Sequence, residues 1–252
     1  MDAENPPARE RISLLKVPLD IVFPEQLTGV INELLVTGEG RNIVLLSLWD
    51  LLRARRNGEY RTYLLSASLI IPISKSLVGG ARFLTGKKVV RYMPFDFIVQ
   101  LLTNLETREL TLYLLGGKLQ VLKKTEKNVR ATFPHLRVVG RHAGSFKKQD
   151  EGTILEAIRK ATPSLILVGQ GIRGEELWIA RNNTKLSPGL RLWCSDIYDI
   201  FADLKKHPSR YIFEHGLEWI RYCFESPRCC FRIFPYLYYK LLLLVYRLLK
   251  KE

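Results

Sequence analysis

The sequence predicts an α/β protein: a Rossmann-like, mostly parallel sheet with helices on both faces, followed by a C-terminal helical membrane-docking appendage. Apolar runs of strand length alternate with helical segments, which is the order of βαβ units. The near-continuous apolar run at residues 42–48 is typical of a parallel strand covered on both faces. With 252 residues, 47% hydrophobic and 25% charged, the chain can form one large domain with an appendage.

The elements of the predicted core follow a polar leader at residues 1–12 and end at residue 208. In the first half, strands are expected at residues 13–22, 42–48 and 69–71, and helices at 24–37, 49–65 and near 96–103. The helix at 49–65 is expected to expose Arg53, Arg55 and Arg56. In the second half, strands are expected at 110–117, 136–140 and 164–171, and helices at 118–132 and from Glu175 onward.

The stretch S-L-I-I-P-I-S-K-S-L-V-G-G, residues 68–80, is interpreted as a buried strand that Pro72 stops, followed by a small-residue loop. In open parallel sheets, ligands bind just past the carboxyl ends of the strands. An acid, a base or a phosphate-binding turn is therefore expected here. The loop instead begins Ile73-Ser74-Lys75-Ser76 and contains no carboxylate.

Two glycine turns join predicted strands to helices, one with Gly116 and Gly117 and the other with Gly169 and Gly171. Glycine at this point lets the backbone approach a phosphate, and the helix N-terminus supplies donors. Neither turn is a complete G-x-G-x-x-G or Walker pattern. The pair favours nucleotide binding, and an ordinary tight βα turn is the alternative.

Three titratable residues lie near predicted strand ends and are candidate bases. His142 lies in G-R-H-A-G, Glu175 opens the helix E-E-L-W-I beside Glu176, and Asp196 lies in C-S-D-I-Y-D. The alternative is a structural role, since acids in a first helical turn also interact with the helix dipole. The four cysteines form no C-x-x-C pair and have no His at ligand spacing, so neither zinc nor a disulfide framework is indicated, and free thiols in a reducing cytosol are predicted. No cofactor is expected, and the protein is expected to be independent of metal ions.

The net charge of +14 and the pI of about 9.7 predict an anionic partner. No zinc finger, RNP-like motif or helix-turn-helix is recognisable, so nucleic acid is not expected. The anionic partners that remain are a nucleotide-linked substrate and an acidic membrane surface. The polar N-terminus does not resemble a secretory signal, so a cytoplasmic location is predicted.

The predicted appendage, residues 209–252, ends in F-P-Y-L-Y-Y-K-L-L-L-L-V-Y-R-L-L-K-K-E. Its charges interrupt the run of about 20 apolar residues that a transmembrane helix needs. A basic amphipathic helix in the lipid interface fits better, and a helix packed on the core or a dimer contact is the alternative. The residues predicted to dock on the membrane are Tyr238, Lys240, Leu244, Arg247, Lys250 and Lys251.

The order of these motifs resembles that of the WecG/TagA/CpsF family of bacterial glycosyltransferases, over roughly residues 14–235. The resemblance is carried by V-P-L-D at 17–20, R-Y-M-P-F-D at 91–96, L-Y-L-L-G-G at 112–117, F-P-H-L-R-V-V-G-R-H-A-G-S-F at 133–146, G-Q-G-I-R-G-E-E-L-W-I at 169–179 and G-L-E-W-I-R at 216–221.

The resemblance implies a glycosyltransferase of cell-envelope glycan biosynthesis, peripheral on the inner face of the cytoplasmic membrane. It implies transfer of an N-acetylhexosamine-type sugar from a UDP donor to a polyprenyl-diphosphate-linked acceptor. Association with a second copy of the chain stays open. In addition to the glycines of the two turns, the residues expected to bind the substrate or nucleotide are Arg91, Asp96, Glu176, Arg221, Arg228 and Arg232. Of these, Arg221 and Arg228 lie one residue away from the positions that the family's pattern has.

The chain departs from the family where the presumed catalytic Asp lies in P-D-G-x-G, because Ile73 occupies that position and cannot accept a proton. The Gln of the family's Q-E-x-W-I is Glu175 here. Three interpretations remain open. The chain is a working transferase with a relocated base (Glu175, Asp196 or His142), a degenerate member that binds a nucleotide-sugar or lipid-linked glycan, or an unrelated membrane-peripheral binding protein.

Overall fold

A computed structural model describes residues 9–36, 40–216 and 233–249. An antiparallel hairpin of β1 (Glu10–Leu14) and β2 (Val17–Ile21) precedes a six-stranded sheet in which every neighbouring pair is parallel. The strands of this sheet are β3 (Gly40–Leu46), β4 (Leu69–Pro72), β5 (Thr111–Leu115), β6 (Arg137–His142), β7 (Leu165–Val168) and β8 (Gly189–Trp193). Their spatial order is β4-β3-β8-β7-β5-β6.

Eleven α-helices surround the sheet in the part of the chain that the structure describes. They are α1 (Pro24–Val36), α2 (Leu48–Arg56), α3 (Gly58–Leu65), α4 (Lys75–Thr85), α5 (Pro94–Thr107), α6 (Leu119–Thr132), α7 (Glu151–Ala161), α8 (Glu176–Arg181), α9 (Ile197–Phe201), α10 (Arg210–His215) and α11 (Ile233–Leu248).

Both faces of the sheet are buried, because side chains along each strand alternate between two apolar layers. Ile43 and Leu45 of β3 pack with α1, α5, α6 and α9 on one face. Val44 and Leu46 point to the other face, where α2, α3 and α4 pack together with the hairpin. Helices α7 and α8 cover the β5–β7 part of that second face. The predicted fold class, a Rossmann-like parallel sheet with helices on both faces, is confirmed.

The N-terminal hairpin replaces the single strand expected at residues 13–22. Leu15 and Lys16 have φ values of 51° and 68°, so the chain reverses in a two-residue turn. Asp20, which is 1% exposed, then fixes the hairpin to β4. Its carboxylate accepts from the Arg11 guanidinium at 2.7 and 2.8 Å and from the Ile70 N–H at 2.7 Å.

The predicted helix at residues 49–65 is two helices, because Asn57 ends α2 and caps α3. The side-chain oxygen of Asn57 accepts from the Tyr60 N–H at 3.0 Å, which starts a new helix. The prediction that Arg53 is exposed is wrong, since its side chain is 35% exposed and forms an ion pair with Glu176. Arg55 and Arg56 are exposed as predicted.

The small-residue loop expected at residues 73–80 is mostly helical, and only Ile73 and Ser74 separate β4 from α4. Gly80 lies inside α4 rather than in a turn. Tyr239 of α11 packs so closely against it that a Cβ on Gly80 would overlap the Tyr239 hydroxyl. The glycine therefore serves helix–helix packing.

Strand β8 was not predicted, although it lies near the middle of the sheet between β3 and β7. Its G-L-R-L-W sequence places a charged residue, Arg191, where an apolar one is expected. Arg191 is 1% exposed, and its guanidinium donates to the Asn183 side chain and to the Ser187 carbonyl. Neutral acceptors thus pair both terminal nitrogens of Arg191, while its buried Nε has no hydrogen-bond partner among the described residues.

Candidate functional site

The carboxyl ends of the six parallel strands lie at one edge of the sheet, and the loops that follow them form one surface. Residues that the motifs spread over more than 120 positions of sequence lie along this edge. They are Ile73 after β4, Gly116 and Gly117 after β5, His142 at the end of β6, Gly169 and Gly171 after β7, and Asp196 after β8.

The two glycine turns pack against each other through their backbones. The Gly116 N–H donates to the His142 carbonyl at 2.9 Å, and the Gly169 N–H donates to the Leu115 carbonyl at 2.8 Å. A Cβ on Gly116 would stand 2.7 Å from the Gly169 oxygen, so only glycine permits this approach. These N–H groups are already paired with protein carbonyls, and the nucleotide-binding role expected of the turns stays a prediction.

Tyr198 of α9 anchors these turns and was not singled out from the sequence. Its side chain is fully buried, and its hydroxyl accepts from the Leu115 N–H at 2.9 Å and donates to the Leu167 carbonyl. Burial raises the pKa of the Tyr198 phenol well above its usual value, so it remains a neutral hydrogen-bonding group. Tyr198 lies in the C-S-D-I-Y-D motif, in which only a carboxylate, that of Asp196, was predicted to be functional.

The position of the family's presumed catalytic Asp is held by a half-buried Ile73 that packs against the core. Its N–H donates to the Leu46 carbonyl at 2.9 Å, and its own carbonyl accepts from Arg91 Nε at 2.8 Å. Arg91 Nη1 donates to the Phe213 carbonyl at 2.7 Å, and the guanidinium lies 3.8 Å from the centre of the Phe213 ring. Arg91 thus links this loop to α10.

A second contact holds α10 next to this loop, because Nζ of Lys75, the first residue of α4, donates to the His215 carbonyl at 2.8 Å. The other residue of the R-Y-M-P-F-D motif, Asp96, is exposed in the first turn of α5. A carboxylate there interacts favourably with the helix dipole. The predicted domain boundary after residue 208 falls just before α10 and stays a prediction.

His142 lies far from the loop after β4, because β6 and β4 are the two outer strands of the sheet. Five strand spacings of about 4.8 Å separate them, or roughly 24 Å. The His142 ring is hydrogen-bonded through Nδ1 to the Ala143 carbonyl at 2.8 Å and lies edge-on to Phe146. A base that replaces an Asp at position 73 would need to be much closer.

The two candidate carboxylates differ in their partners. Asp196 forms an ion pair with Lys205, and its side chain is 38% exposed. Glu175 is 57% exposed, with Oε2 at 3.8 Å from Arg53 Nη1. Its φ of 53° is unusual for a residue with a side chain, and such backbone strain is concentrated at functional sites.

Two acids, Glu176 and Asp50, lie close to each other and to Glu175. Glu176 was expected to bind the substrate or nucleotide, which stays a prediction, whereas Asp50 was not singled out from the sequence. Glu176 is 3% exposed, and its Oε1 lies 2.6 Å from Arg53 Nη1. Its other oxygen, Oε2, has no hydrogen-bond partner among the described residues. A small cavity of about 10 Å³ is lined by Glu176 together with Asp50, Tyr60 and Trp193. The Trp193 Nε1 is buried in the same way, without a partner in the described part of the chain.

Burial raises the pKa of the Glu176 carboxyl above its usual value, because desolvation outweighs the attraction of Arg53. Burial also raises the pKa of Asp50, even though the Ser47 hydroxyl and N–H both donate to that carboxylate. Ser47 and Asp50 form a capping box at the start of α2, and the S-x-x-D spacing in the sequence could have indicated it.

One side of helix α11 packs against the core of the protein, and the other side is exposed. Tyr239 is buried, and Arg247 Nη1 donates to the Phe83 carbonyl at 2.7 Å. Tyr238 and Leu244, both predicted to dock on a membrane, are 41% and 51% exposed, and Lys240 is exposed as well. The remaining predicted residues of the appendage lie outside the described residues; they are Arg221, Arg228, Arg232, Lys250 and Lys251.

No helix within the described ranges is long and apolar enough to span a lipid bilayer. The same ranges contain no group of three or more His, Cys, Asp or Glu side chains that could hold a metal ion, and metal independence stays a prediction. Cys194 is a free thiol, and burial raises its pKa to about 12.

Known proteins are similar to this chain over most of its length. A model of the glycosyl transferase WecG/TagA/CpsF family matches residues 12–252. An N-acetylglucosaminyldiphosphoundecaprenol N-acetyl-beta-D-mannosaminyltransferase of Bacillus spizizenii (strain ATCC 23059 / NRRL B-14472 / W23) is 25% identical over 214 residues, which are 83% of this chain and 82% of that protein. A protein of the same name from Bacillus subtilis (strain 168) is 21% identical over 166 residues, 66% of this chain and 64% of that protein. Because the family model covers nearly the whole sequence, the chain belongs to the WecG/TagA/CpsF family of glycosyl transferases.

Proposed function

We propose that this protein transfers an N-acetylhexosamine-type sugar from a UDP-sugar to a polyprenyl-diphosphate-linked acceptor, at the inner face of the cytoplasmic membrane. The observation that carries the proposal is the family match over residues 12–252. Relatives that align with 83% and 66% of this chain have names that describe transfer of N-acetylmannosamine to N-acetylglucosaminyldiphosphoundecaprenol. The proposed product is a lipid-linked disaccharide for the cell envelope.

The reaction requires an acceptor hydroxyl, a base and a stabilised leaving group. The hydroxyl oxygen attacks the anomeric carbon of the donor, and the bond from that carbon to the UDP oxygen breaks. UDP leaves with the electron pair, and the hydroxyl proton passes to the base. Positive groups stabilise the charge on the departing diphosphate. The arginines proposed for this role are Arg91, Arg221, Arg228 and Arg232.

Glu175 is the base that the geometry favours. Its carboxylate is 57% exposed and lies 3.8 Å from Arg53 Nη1, whereas Asp196 is 38% exposed and forms a closer ion pair with Lys205. His142 lies on the outer strand opposite β4, roughly 24 Å away by strand spacing. The family's Gln at position 175 is replaced by a carboxylate in the same chain in which Ile73 replaces the Asp. One change thus adds a proton acceptor to the chain in which the other removes one.

The outward side of α11 supports a peripheral position on the membrane. Exposed Leu, Val and Tyr side chains next to Lys240 suit the boundary between headgroups and acyl chains. The positive charge of the chain also favours the anionic lipids of the inner leaflet. A helix in this position would keep the enzyme beside its lipid-linked acceptor.

The proposal is tested with the full-length chain, vesicles that contain lipid-linked N-acetylglucosamine, and UDP-N-acetylhexosamines. Transfer of sugar to the lipid fraction is expected. Glu175→Gln should lower kcat by about a hundredfold or more while donor binding is kept. Asp196→Asn and His142→Gln are matched controls that should retain most of the activity. Absence of transfer with every donor would overturn the proposal.

A second candidate function is favoured by Ile73 alone: a family member that binds a nucleotide-sugar without turning it over. Calorimetric titration with UDP and UDP-N-acetylhexosamines, in the presence of vesicles, separates the two functions. Micromolar binding without transfer supports this second function. Gain of transfer in Ile73→Asp but not in Ile73→Asn would show that only the base is missing.

A further inference from the structure

A large open groove lies between α2 and the start of α11. It has a volume of about 640 Å³. Its apolar walls include Trp49 and Leu52 from α2 and Phe234 and Tyr238 from α11. Trp49 is 42% exposed, and its ring is held edge-on to Tyr236 at 6.4 Å between ring centres. Concave apolar sites with a few placed polar groups are typical of ligand pockets.

The charged groups among the described lining residues are two guanidinium groups, those of Arg53 and Arg56, and Asn57 adds a neutral amide. Arg53 is paired with Glu176, and its Nη1 lies 3.8 Å from Glu175 Oε2. Arg56 is exposed and forms no ion pair with any residue that the structure describes. None of the described lining residues is an acid. The groove therefore offers an uncompensated cation at one end of an apolar surface, which complements an anionic headgroup on an apolar chain.

The apolar surface continues out of the groove along α11. Starting from Phe234, exposed apolar side chains recur at intervals of four and three residues, which places them on one face of the helix. We call this face the apolar track. It consists of Phe234, Tyr238, Leu241, Val245 and Leu248, which are 66%, 41%, 58%, 39% and 81% exposed. A helix of 16 residues is about 24 Å long, so the track matches a long, flexible hydrocarbon chain.

We propose that the groove between α2 and α11 binds the polyprenyl-diphosphate end of the acceptor. Arg56 and Arg53 contact the diphosphate, and the first isoprene units lie between Trp49 and the apolar track. This inference rests on the proposed function, since it locates the acceptor of that reaction. It assigns a role to Arg56 and Trp49, which are not part of the motifs that carry the family resemblance.

The location has a consequence for the chemistry. The acceptor sugar is attached directly to the diphosphate, and Arg53 contacts both the groove and Glu175. A diphosphate held by Arg56 and Arg53 therefore places the attached sugar on the side of Glu175. The groove and the proposed base then act on the same substrate, with the lipid on one side of Arg53 and the reacting hydroxyl on the other.

The test uses Trp49 as a fluorescent reporter in the full-length chain, with farnesyl diphosphate as the probe. A saturable shift of Trp49 emission to shorter wavelength is expected, and Trp49→Phe should remove it. Arg56→Ala should raise the Kd about tenfold, because a charge-assisted hydrogen bond is lost. Arg61→Ala is the matched control, an exposed arginine on α3 outside the groove, and its Kd should be unchanged.

Several results would overturn the inference. One is an equal Kd in Arg56→Ala and the wild type. Another is an emission shift produced equally by inorganic diphosphate or by anionic vesicles without farnesyl diphosphate, which would assign the groove to a free phosphate or a membrane surface. A shift that depends only on protein concentration, with sedimentation showing dimers, would assign it to a second copy of the chain.

Failure of this inference is distinguishable from failure of the proposed function. If the wild type transfers sugar but Arg56→Ala neither binds farnesyl diphosphate more weakly nor has a higher KM for the lipid acceptor, the inference alone fails. If the wild type binds farnesyl diphosphate through Arg56 but transfers no sugar, the proposed function fails and the lipid site stands.

Discussion

The hydroxyl of Tyr239 on α11 donates to the Ser76 carbonyl on α4 at 3.1 Å, and its ring packs directly onto Gly80. This contact joins the C-terminal helix to the element that follows the loop of Ile73. It also explains the second glycine of V-G-G-A, because Gly80 faces α11 whereas Gly79 does not. The appendage is therefore built onto the core through a defined packing site.

Replacing Gly80 by Ala should loosen this contact, because a Cβ there would overlap the Tyr239 hydroxyl. We expect the free energy of unfolding to fall by about 1–3 kcal/mol, as in other overpacked sites. Protease cleavage before α11 should also become faster. Gly79→Ala is the control, since a Cβ at residue 79 would have no atom of another residue within 4 Å. It should stabilise the helix by about 0.5–1 kcal/mol. Equal effects of both variants would contradict the packing role.

Charging the apolar track should release the protein from membranes. Leu241 is 58% exposed on α11, and Leu241→Asp places a carboxylate where acyl chains are expected. We expect the fraction that sediments with anionic vesicles to fall at least severalfold. Leu204→Asp changes an equally exposed leucine, at 62%, outside this helix and should leave sedimentation unchanged. Unchanged sedimentation of Leu241→Asp would argue that α11 does not face the lipid.

Removing the Asp20 carboxylate should strongly destabilise the fold. Asp20→Ala leaves the Ile70 N–H and the Arg11 guanidinium without their buried acceptor. The expected loss is about 3 kcal/mol in the free energy of unfolding, measured by urea denaturation. The control is Glu10→Ala, which removes an exposed ion pair with Lys87 from the same hairpin. That change should cost under about 1 kcal/mol.

Neutralising Glu176 should change how stability depends on pH. Burial raises the pKa of this carboxyl in the folded state above its value of 4.5 in the unfolded chain. The folded state therefore binds the proton more tightly, and wild-type stability falls as the pH rises above about 4.5. Glu176→Gln carries no proton to lose, so its free energy of unfolding should rise relative to wild type from pH 4.5 upward. Urea denaturation at several pH values measures this difference.

Glu59 provides a control of opposite sign, because its ion pair with Arg181 lowers the pKa of the Glu59 carboxyl. In this case the wild type gains stability relative to Glu59→Gln as the pH rises through the acid range. The same trend in both variants would show that burial does not dominate at Glu176. Arg53, Asp50, Glu175, Tyr60 and Tyr63 are the charged or titratable groups that face Glu176.

The apolar strands could be predicted because a nearly continuous run of apolar residues indicates that both faces of a strand are buried. Residues 42–48 and 110–117 are mostly Leu, Ile, Val and Tyr, and they overlap β3 and β5. The pattern failed at β8, where Arg191 is buried through neutral partners supplied by Asn183 and Ser187. The prediction also failed at Gly80, which was expected in a loop. The sequence alone does not distinguish a glycine that lets two helices pack closely from a glycine that ends a helix or forms a turn.

The candidate site could be predicted less completely than the fold. Motif order located the loops at the carboxyl edge, because parallel strands bring them together whatever their sequence separation. The pair of Arg53 and Glu176 could not be foreseen, since its members are 123 residues apart and lie on different helices. Tyr198 was missed for a similar reason: the hydrogen bond of its hydroxyl to Leu115 exists only in the folded chain.

The contact between the N-terminal hairpin and β4 has a consequence for association between copies of the chain. β4 is an outer strand of the sheet, and its L-I-I-P sequence is fully apolar. An open strand of this kind is a template for edge-to-edge aggregation. Asp20 occupies the Ile70 N–H, and Arg9 and Arg11 occupy the Ser68 carbonyl just before the strand. The hairpin therefore places charged side chains along this edge of β4, which is one of the ways in which proteins disfavour edge-to-edge strand pairing.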